Sequence, residues 1–579
     1  MIKLLRFLKP YRALLVLIIV LAFVQAMTSL YLPNLMADIV DYGIAKGDTG
    51  YIWRTGGIML LVALGGIVAA IVGVFFSSRV ATGFGKIVRV ALFTHVEQFS
   101  LHEFDTVSTA SLITRTTNDT TQVQQVLIMI LNIMITAPFT MIAGIILAVN
   151  QDAGLSWILV VSIPILAAVI IILASKAIPM FRVMQVKLDR LNLILDEGLT
   201  GVRVVRAFDR QRYEEQRFDK ANLDLTDVAI RVNRLLASLM PIMMLCLNLS
   251  SIAILWFGAI RINNGDMQVG ALIAFLQYSM LILFSLLMVS MMFIMLPRAE
   301  ASAARINEVL AMQPEIKDAD QVKQADQKKG YVEFRNVTFS YPGAEEPALT
   351  NISFTAQPGQ VTAIIGGTGS GKSTLVSLIP RFYDIDGGQI LVDGVDVREI
   401  AQEDLRAKIG FVPQKAVLFS GTISENVRYG KEDASEEEVR YAAEVAQASE
   451  FIAEKIDGFN TVIAQGGTNV SGGQKQRLSI ARALVRKPEI YVFDDSFSAL
   501  DFKTDARLRS ALKKETREAT VLIVSQRVST VMDADQIIVL DEGRIAGIGT
   551  HRALMKTCKV YYEIVSSQLS MEEISEGVA

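Results

Sequence analysis

The sequence predicts an all-α membrane domain of six spanning helices followed by a cytoplasmic α/β domain built around a phosphate-binding loop. Three observations predict it. Six long apolar stretches occupy the first half of the chain, and the composition turns polar after residue 297. In addition, Gly366-Gly367-Thr368-Gly369-Ser370-Gly371-Lys372-Ser373 fits G-x-x-x-x-G-K-S directly behind the apolar run Val361-Thr362-Ala363-Ile364-Ile365. At 579 residues the chain is too long for one core, and 51% of it is hydrophobic.

A bilayer core of roughly 30 Å takes about 20 apolar residues per helix. Residues 13–33, 56–76, 127–149, 155–175, 239–260 and 270–296 meet that length. The connections alternate. Residues 34–55, 150–154 and 261–269 are short, whereas 77–126 and 176–238 are long, charged and compatible with helix. Basic residues mark the cytoplasmic side. Lys3, Arg6, Lys9 and Arg12 precede the first span, and Arg182, Lys187, Arg203, Arg206 and Arg210 are among the cations of the second long connection. The short loop Asn150-Gln151-Asp152-Ala153-Gly154 has none. Both termini and both long connections are therefore expected in the cytoplasm, the latter as rods that extend the spanning helices. The basic start reads as an interfacial helix, because the apolar run behind it is too long for a signal peptide.

Several function classes are disfavoured. A net charge of −3 does not suggest a nucleic-acid binder. Cys246 and Cys558 lie far apart, with Cys246 in an apolar stretch, which reads as an inert buried thiol. His95, His102 and His551 have no metal-site spacing.

Residues 313–330 are polar, with Pro314 and Gly330, and read as a linker between domains at 1–312 and 331–579. From Tyr331 onward, strands at 332–334, 337–339, 361–365, 390–392, 409–412, 490–493, 521–524 and 537–540 alternate with helical segments, the pattern of an α/β domain. In the phosphate loop, Gly366, Gly367, Gly369 and Gly371 let backbone N–H groups face phosphates, and Thr368, Ser370 and the following Thr374 are further candidate nucleotide-binding positions. Lys372 can reach the outer phosphates and Ser373 can ligate Mg²⁺. Ile490-Tyr491-Val492-Phe493-Asp494-Asp495 is an apolar strand ending in two carboxylates. Asp494 suits the metal, and Asp495 suits polarising an attacking water.

Val470-Ser471-Gly472-Gly473-Gln474-Lys475-Gln476-Arg477 resembles the signature of the ATP-binding-cassette family, an L-S-G-G-Q-type sequence that opens a helix. The family's other elements follow in order. Tyr341 matches the aromatic that stacks on adenine, Gln414 in Phe411-Val412-Pro413-Gln414 matches the glutamine that follows a strand and joins the metal, and Ser498-Ala499-Leu500-Asp501 matches the loop beyond the catalytic carboxylate. Six spans and one cassette resemble an exporter half-transporter of a bacterial cell membrane. Phe104-Asp105 with residues 112–119, and Arg203 to Phe208 with Tyr213, Glu214 and Phe218, resemble its two coupling segments. The resemblance implies ATP and Mg²⁺ as ligands. It also implies two cassettes paired head to tail, each ATP lying between one chain's phosphate loop and the other's Ser471, Gly472, Gly473 and Gln474.

Two positions depart from the family. Its catalytic glutamate is Asp495, one methylene shorter, and its switch histidine is Gln526 in Val524-Ser525-Gln526-Arg527. An amide cannot titrate or carry positive charge. This combination resembles the asymmetric heterodimeric branch. It implies a slow site here, and a second homologous half-transporter that supplies the glutamate and the histidine of the competent one. The methionines Met240, Met243, Met244, Met280, Met288, Met291, Met292 and Met295, with Asn132 and Gln277, suggest a cavity for small amphipathic compounds. A lipid or peptide exporter, or a nucleotide-gated regulatory subunit, remains an alternative.

Overall fold

The computed structural model describes residues 1–319, 321–323 and 329–569, with only the backbone of 291, 293 and 294. The rest of the expected linker, residues 320 and 324–328, lies outside the described residues, as does the Met291 side chain. The chain divides into two compact units, Met1–Glu97 with Thr109–Met312, and Gln98–Ser108 with Gln313–Ala579.

The first unit holds six helices long and apolar enough to cross a membrane, by length and composition. A 3₁₀ segment, Ile2–Tyr11, leads into α1, Arg12–Asp38. Then come α2, Thr49–Val96; the short α3, Leu101–Val107; and α4, which runs over Thr109–Gln151 through two π turns. Next are α5, Trp157–Thr200; the short α6, Val202–Ala207; α7, Gln211–Asn263; and α8, Val269–Ala311. At 1.5 Å per residue, the 53 residues of α7 extend about 80 Å, far more than a bilayer core. The surplus carries the charges. Leu61 (70% exposed), Val160 (71%) and Trp256 (69%) face outward, as lipid contact requires.

Side-chain staples fix the helix ends. The Asp48 carboxylate accepts from the Tyr51 N–H at 2.9 Å and opens α2. Asp152 accepts from the Leu155 N–H at 2.8 Å and from Arg261 Nε at 2.9 Å, which joins the loop after α4 to the end of α7. The π turn Arg115–Asp119 presents Asp119 to the Arg305 guanidinium of α8, while Arg115 pairs with Glu308 at 2.8 Å.

Both short helices fall within the stretches read from sequence as coupling segments, with one difference. Residues 112–119 are not part of the first but open α4. Residues 98–108 group with the second unit, whereas the sequence placed them in the membrane domain. There the Glu103 carboxylate accepts from Ser100 N–H, Ser100 Oγ–H and Glu315 N–H at 2.6, 2.6 and 3.0 Å.

The second unit is built on two sheets. A six-stranded sheet runs β12-β11-β3-β10-β9-β6, and a four-stranded antiparallel sheet runs β2-β1-β4-β5. Their strands are β1 Val332–Phe339, β2 Leu349–Ala356, β3 Val361–Gly366, β4 Gly387–Val392, β5 Val395–Asp396, β6 Ile409–Val412, β9 Ile490–Asp494, β10 Thr520–Val524, β11 Gln536–Asp541 and β12 Arg544–Gly549. A two-residue pair, β7 Gly421–Thr422 and β8 Val462–Ile463, stands apart. The segments expected at 332–334 and 337–339 are one strand, broken in register where Asn336 adopts φ +50°. Strands β3, β9 and β10 are buried almost from end to end and largely apolar because both of their faces are covered. Phe334, Ile352 and Phe354 from the small sheet meet Ile364, Val492 and Leu522 from the large one in a shared core.

Candidate nucleotide site

Four neighbouring parallel strands place the site. In register, Val524 lies opposite Asp494 and Ile364, and Val412 lies opposite Phe493. The residues just past each strand therefore share one sheet edge: the phosphate loop after β3, Gln526 after β10, Asp495 after β9 and Gln414 after β6. Ligands bind in the crevice beyond the carboxyl ends of such strands.

The loop between β3 and α9, Lys372–Ser377, is closely wound. A Cβ on Gly366 would lie 2.2 Å from the Leu540 carbonyl oxygen, so only glycine fits. Gly371 stands at φ +94°. Lys372 Nζ donates to the carbonyls of Gly366 (3.0 Å) and Gly367 (2.6 Å). Its ammonium is pushed below the usual lysine range by burial, against the pull of Asp495 and Asp494. Ser370 Oγ is buried with no partner among the described residues. A lysine held by carbonyls alone and an unpartnered buried hydroxyl are donors suited to phosphate oxygens.

Ser373 Oγ donates to Asp494 Oδ1 at 2.9 Å. Burial pushes the Asp494 carboxyl above its ordinary value, and the Asp495 charge adds to this, while Ser373 and Lys372 oppose it. Hydroxyl and carboxylate oxygens at this spacing fit Mg²⁺, a hard cation that prefers oxygen ligands. Ser373 and Asp494 would hold it and it would neutralise phosphate charge, while Gln414, expected as a further ligand, is hydrogen-bonded to Asp495.

The raised Asp494 pKa has a stability consequence. The native state binds this proton more tightly than the unfolded chain does. The penalty is therefore absent below about pH 3.8 and complete above the folded pKa. Asp494→Asn is expected to raise the melting temperature of the nucleotide-free protein at pH 7 by about 2–4 °C. It should also abolish the further stabilisation by Mg-ATP. Calorimetry with and without Mg-ATP checks both.

Gln414 Nε2 donates to Asp495 Oδ2 at 3.3 Å. Asp495 sits at φ +44°, a left-handed conformation that aspartate adopts more readily than most residues. Gln526 is exposed, and its carbonyl accepts from Gln568 Nε2 at 2.8 Å. Tyr341 OH shares a 2.9 Å hydrogen bond with Thr374 Oγ1, and its ring stands edge-on to Phe339 and Tyr383 at 5.1 and 5.5 Å.

The signature residues lie apart from this cluster. Ser471 caps α10, Gly472–Val485. Its hydroxyl accepts from the Gln474 N–H (3.3 Å), and Gln474 Oε1 accepts from the Ser471 N–H (3.0 Å). Gly472 and Gly473 form its first turn. No hydrogen bond among the described residues joins Ser471–Gln474 to the phosphate loop.

Two contributors escaped the sequence reading. Arg482 of α10 lies over Phe419 (5.3 Å) and Tyr429 (5.4 Å) and donates to the Val417 and Asn426 carbonyls at 2.9 Å each. It ties the signature helix to the segment after Gln414. Tyr383 packs against Tyr341 and also feels the charge of Asp105 on α3, which, after burial, raises its pKa. Neither has a sequence signal beyond being aromatic or basic in an amphipathic stretch.

Family models match residues 15–287 as an ABC transporter transmembrane region and residues 349–498 as an ABC transporter. The chain is 46% identical over 97% of its length, and 97% of the relative's, to an uncharacterized ABC transporter ATP-binding protein of Mycobacterium tuberculosis. It is 32% identical to an ATP-dependent lipid A-core flippase of Syntrophus aciditrophicus, covering 85% of this chain and 81% of that one. Among solved structures, a bacterial Atm1-family ABC exporter with ATP bound superposes with a TM-score of 0.80 at 26% identity, covering 96% of this chain and 97% of that one. Six apolar helices, an ATP-binding domain and these likenesses have one conclusion: the chain belongs to the ABC transporter family, as an ATP-driven exporter half-transporter with an Atm1-family fold.

Proposed function

We propose that this chain is one subunit of a heterodimeric exporter that moves amphipathic or hydrophobic compounds out across the cell membrane, with both termini cytoplasmic. The observation that carries the asymmetry is the pairing of Asp495 and Gln526 with an intact Ser471-Gly472-Gly473-Gln474. The chain's own site, with Tyr341, Lys372, Ser373, Asp494 and Asp495, binds ATP and turns it over slowly. Its signature completes a competent site on the partner, a second half-transporter that supplies a glutamate and a histidine. Cassette closure on ATP turns the cavity outward, and hydrolysis at the partner's site resets it.

The methionines give mixed support for a multidrug cavity. Met240, Met244 and Met280 are exposed at 56, 64 and 53%, whereas Met243 and Met292 are buried in helix packing. Asn132 lies in the second π turn of α4 and Gln277 on α8, both half-buried, where they can line a cavity. A second reading, lipid cargo, is favoured by the relative named as a lipid A-core flippase. Inverted vesicles carrying the paired complex separate them: ATP-dependent uptake of a hydrophobic dye supports the first, and flipping of a fluorescent lipid without dye uptake supports the second. Neither signal would leave a regulatory subunit.

Ser471→Ala is expected to cut ATPase of the complex by about 10–100-fold, the worth of a hydrogen bond to a charged phosphate. Ser471→Thr, which keeps the hydroxyl and the cap, should retain most of it. A steady-state ATPase assay checks this, and full activity in Ser471→Ala would refute sharing of the signature.

A further inference from the structure

The Gln526 side chain is exposed, and no described residue is hydrogen-bonded to it. Where it points therefore depends on the backbone of residues 526–528, which follows β10.

That backbone is gripped from two sides. On one side is Gln568, just beyond α12, Lys559–Ser566. Its Oε1 accepts from the Val528 N–H at 2.9 Å, and its Nε2 donates to the Gln526 carbonyl at 2.8 Å. Val528 opens the short helix α11, Val528–Val531, so its N–H has no acceptor inside that helix. One planar amide, donor at one end and acceptor at the other, thus spans both peptide groups around Arg527. No other side chain among the described residues bonds to either of them. On the other side, Arg527 Nη2 donates to the Ser498 carbonyl at 2.8 Å, in the loop beyond Asp495, and its guanidinium stands 5.5 Å from the Phe502 ring centroid.

Gln568 is itself held by the core. Tyr561 and Val565 of α12 are fully buried and pack with Val528, Val531 and Ile365, with Leu569 against the same cluster. His551 Nδ1 and Tyr561 OH share a hydrogen bond of 2.7 Å. Ile365 belongs to β3, one residue ahead of Gly366. The support of Gln568 and the start of the phosphate loop therefore rest on one core, which fixes the distance between them.

We propose that Gln568 is a positioning residue for ATP recognition: its two hydrogen bonds hold residues 526–528 so that the Gln526 amide meets the outer phosphate of a bound triphosphate. A polar group presented to a ligand works at full strength only when neighbouring hydrogen bonds lock its geometry. Without Gln568, the loop is held by Arg527 alone and follows the loop beyond Asp495. The proposal rests on the reading of Gln526 as the switch position. It is independent of the asymmetry, since the same test runs in a homodimer.

Equilibrium binding of adenylyl imidodiphosphate and of ADP, each with Mg²⁺, tests it on the full-length chain paired with its partner half-transporter, the partner's phosphate-loop lysine changed to alanine so that this chain's site is read. Gln568→Met keeps the side-chain length and removes both bonds. It should weaken the triphosphate analogue by about 5-fold, and Gln526→Ala by about 10-fold, the worth of one hydrogen bond to a charged group. ADP, which lacks the outer phosphate, should bind all variants equally, and this also shows that they are folded. The double variant should lose about 10-fold rather than the roughly 50-fold of two independent effects, because Gln568 acts through Gln526. An unchanged analogue affinity in Gln568→Met beside a weakened one in Gln526→Ala would overturn the proposal alone. No effect of Gln526→Ala would overturn the switch reading and the proposal with it. Equal weakening of ADP by Gln568→Met, or additive losses in the double variant, would show a general structural role and overturn it too.

Discussion

Asp495→Glu combined with Gln526→His is expected to raise ATP turnover at this chain's own site by about 100-fold. Gln414 donates to Asp495 at the edge shared by the phosphate loop and Asp494, and the proposed slow site rests on aspartate being one methylene shorter than glutamate there. A misplacement near 1 Å costs on the order of 100-fold. The exposed Gln526 has no charge to offer a developing phosphate, and histidine restores a group that can carry one. Aspartate is more at home than glutamate at φ +44°, so the gain comes with a small backbone cost and a slightly lower melting temperature. The readout is ATPase of the paired complex with the partner's catalytic glutamate changed to glutamine, which leaves this site as the reporter. No gain would mean that neither departure limits the site.

Lys372→Ala is expected to weaken ATP binding at the same site by about 10–100-fold, since hydrogen bonds to a charged group are worth about 1.5–3 kcal/mol. Among the described residues Lys372 bonds to two loop carbonyls, and burial already disfavours its charge. Removing it therefore relieves a cost in the nucleotide-free protein while deleting the cation that outer phosphates would meet. Equilibrium binding by calorimetry, with melting temperature measured alongside, separates the two. Lower affinity with unchanged or higher stability supports the assignment. Unchanged affinity refutes it.

Much of the site was legible because parallel strands end together. Once Val361–Gly366 and Ile490–Asp494 are strands of one sheet, the glycine loop and the carboxylates must meet, and the Ser373–Asp494 hydrogen bond is the result. Helices were legible because a membrane span needs a long uninterrupted apolar run. Less legible were β2 and β12, whose alternating or glycine-rich sequences cover only one face of a sheet. The bulge at Asn336 is a local backbone event that splits an apolar alternation and so reads as two strands. The grouping of residues 98–108 with the second unit rests on Glu103, whose bonds to Ser100 and Glu315 link positions 212 residues apart, beyond any local pattern. Arg482 and Tyr383 are of the same kind: their roles come from what the fold places beside them.

The most direct test of the proposed asymmetry is ATP hydrolysis by the purified chain alone, beside the same chain co-purified with a candidate partner half-transporter. An asymmetric heterodimer shows negligible turnover from this chain alone and robust turnover in the pair, lost when the partner's catalytic glutamate is neutralised. Brisk hydrolysis by this chain alone would contradict it and make Asp495 and Gln526 sufficient in a homodimer.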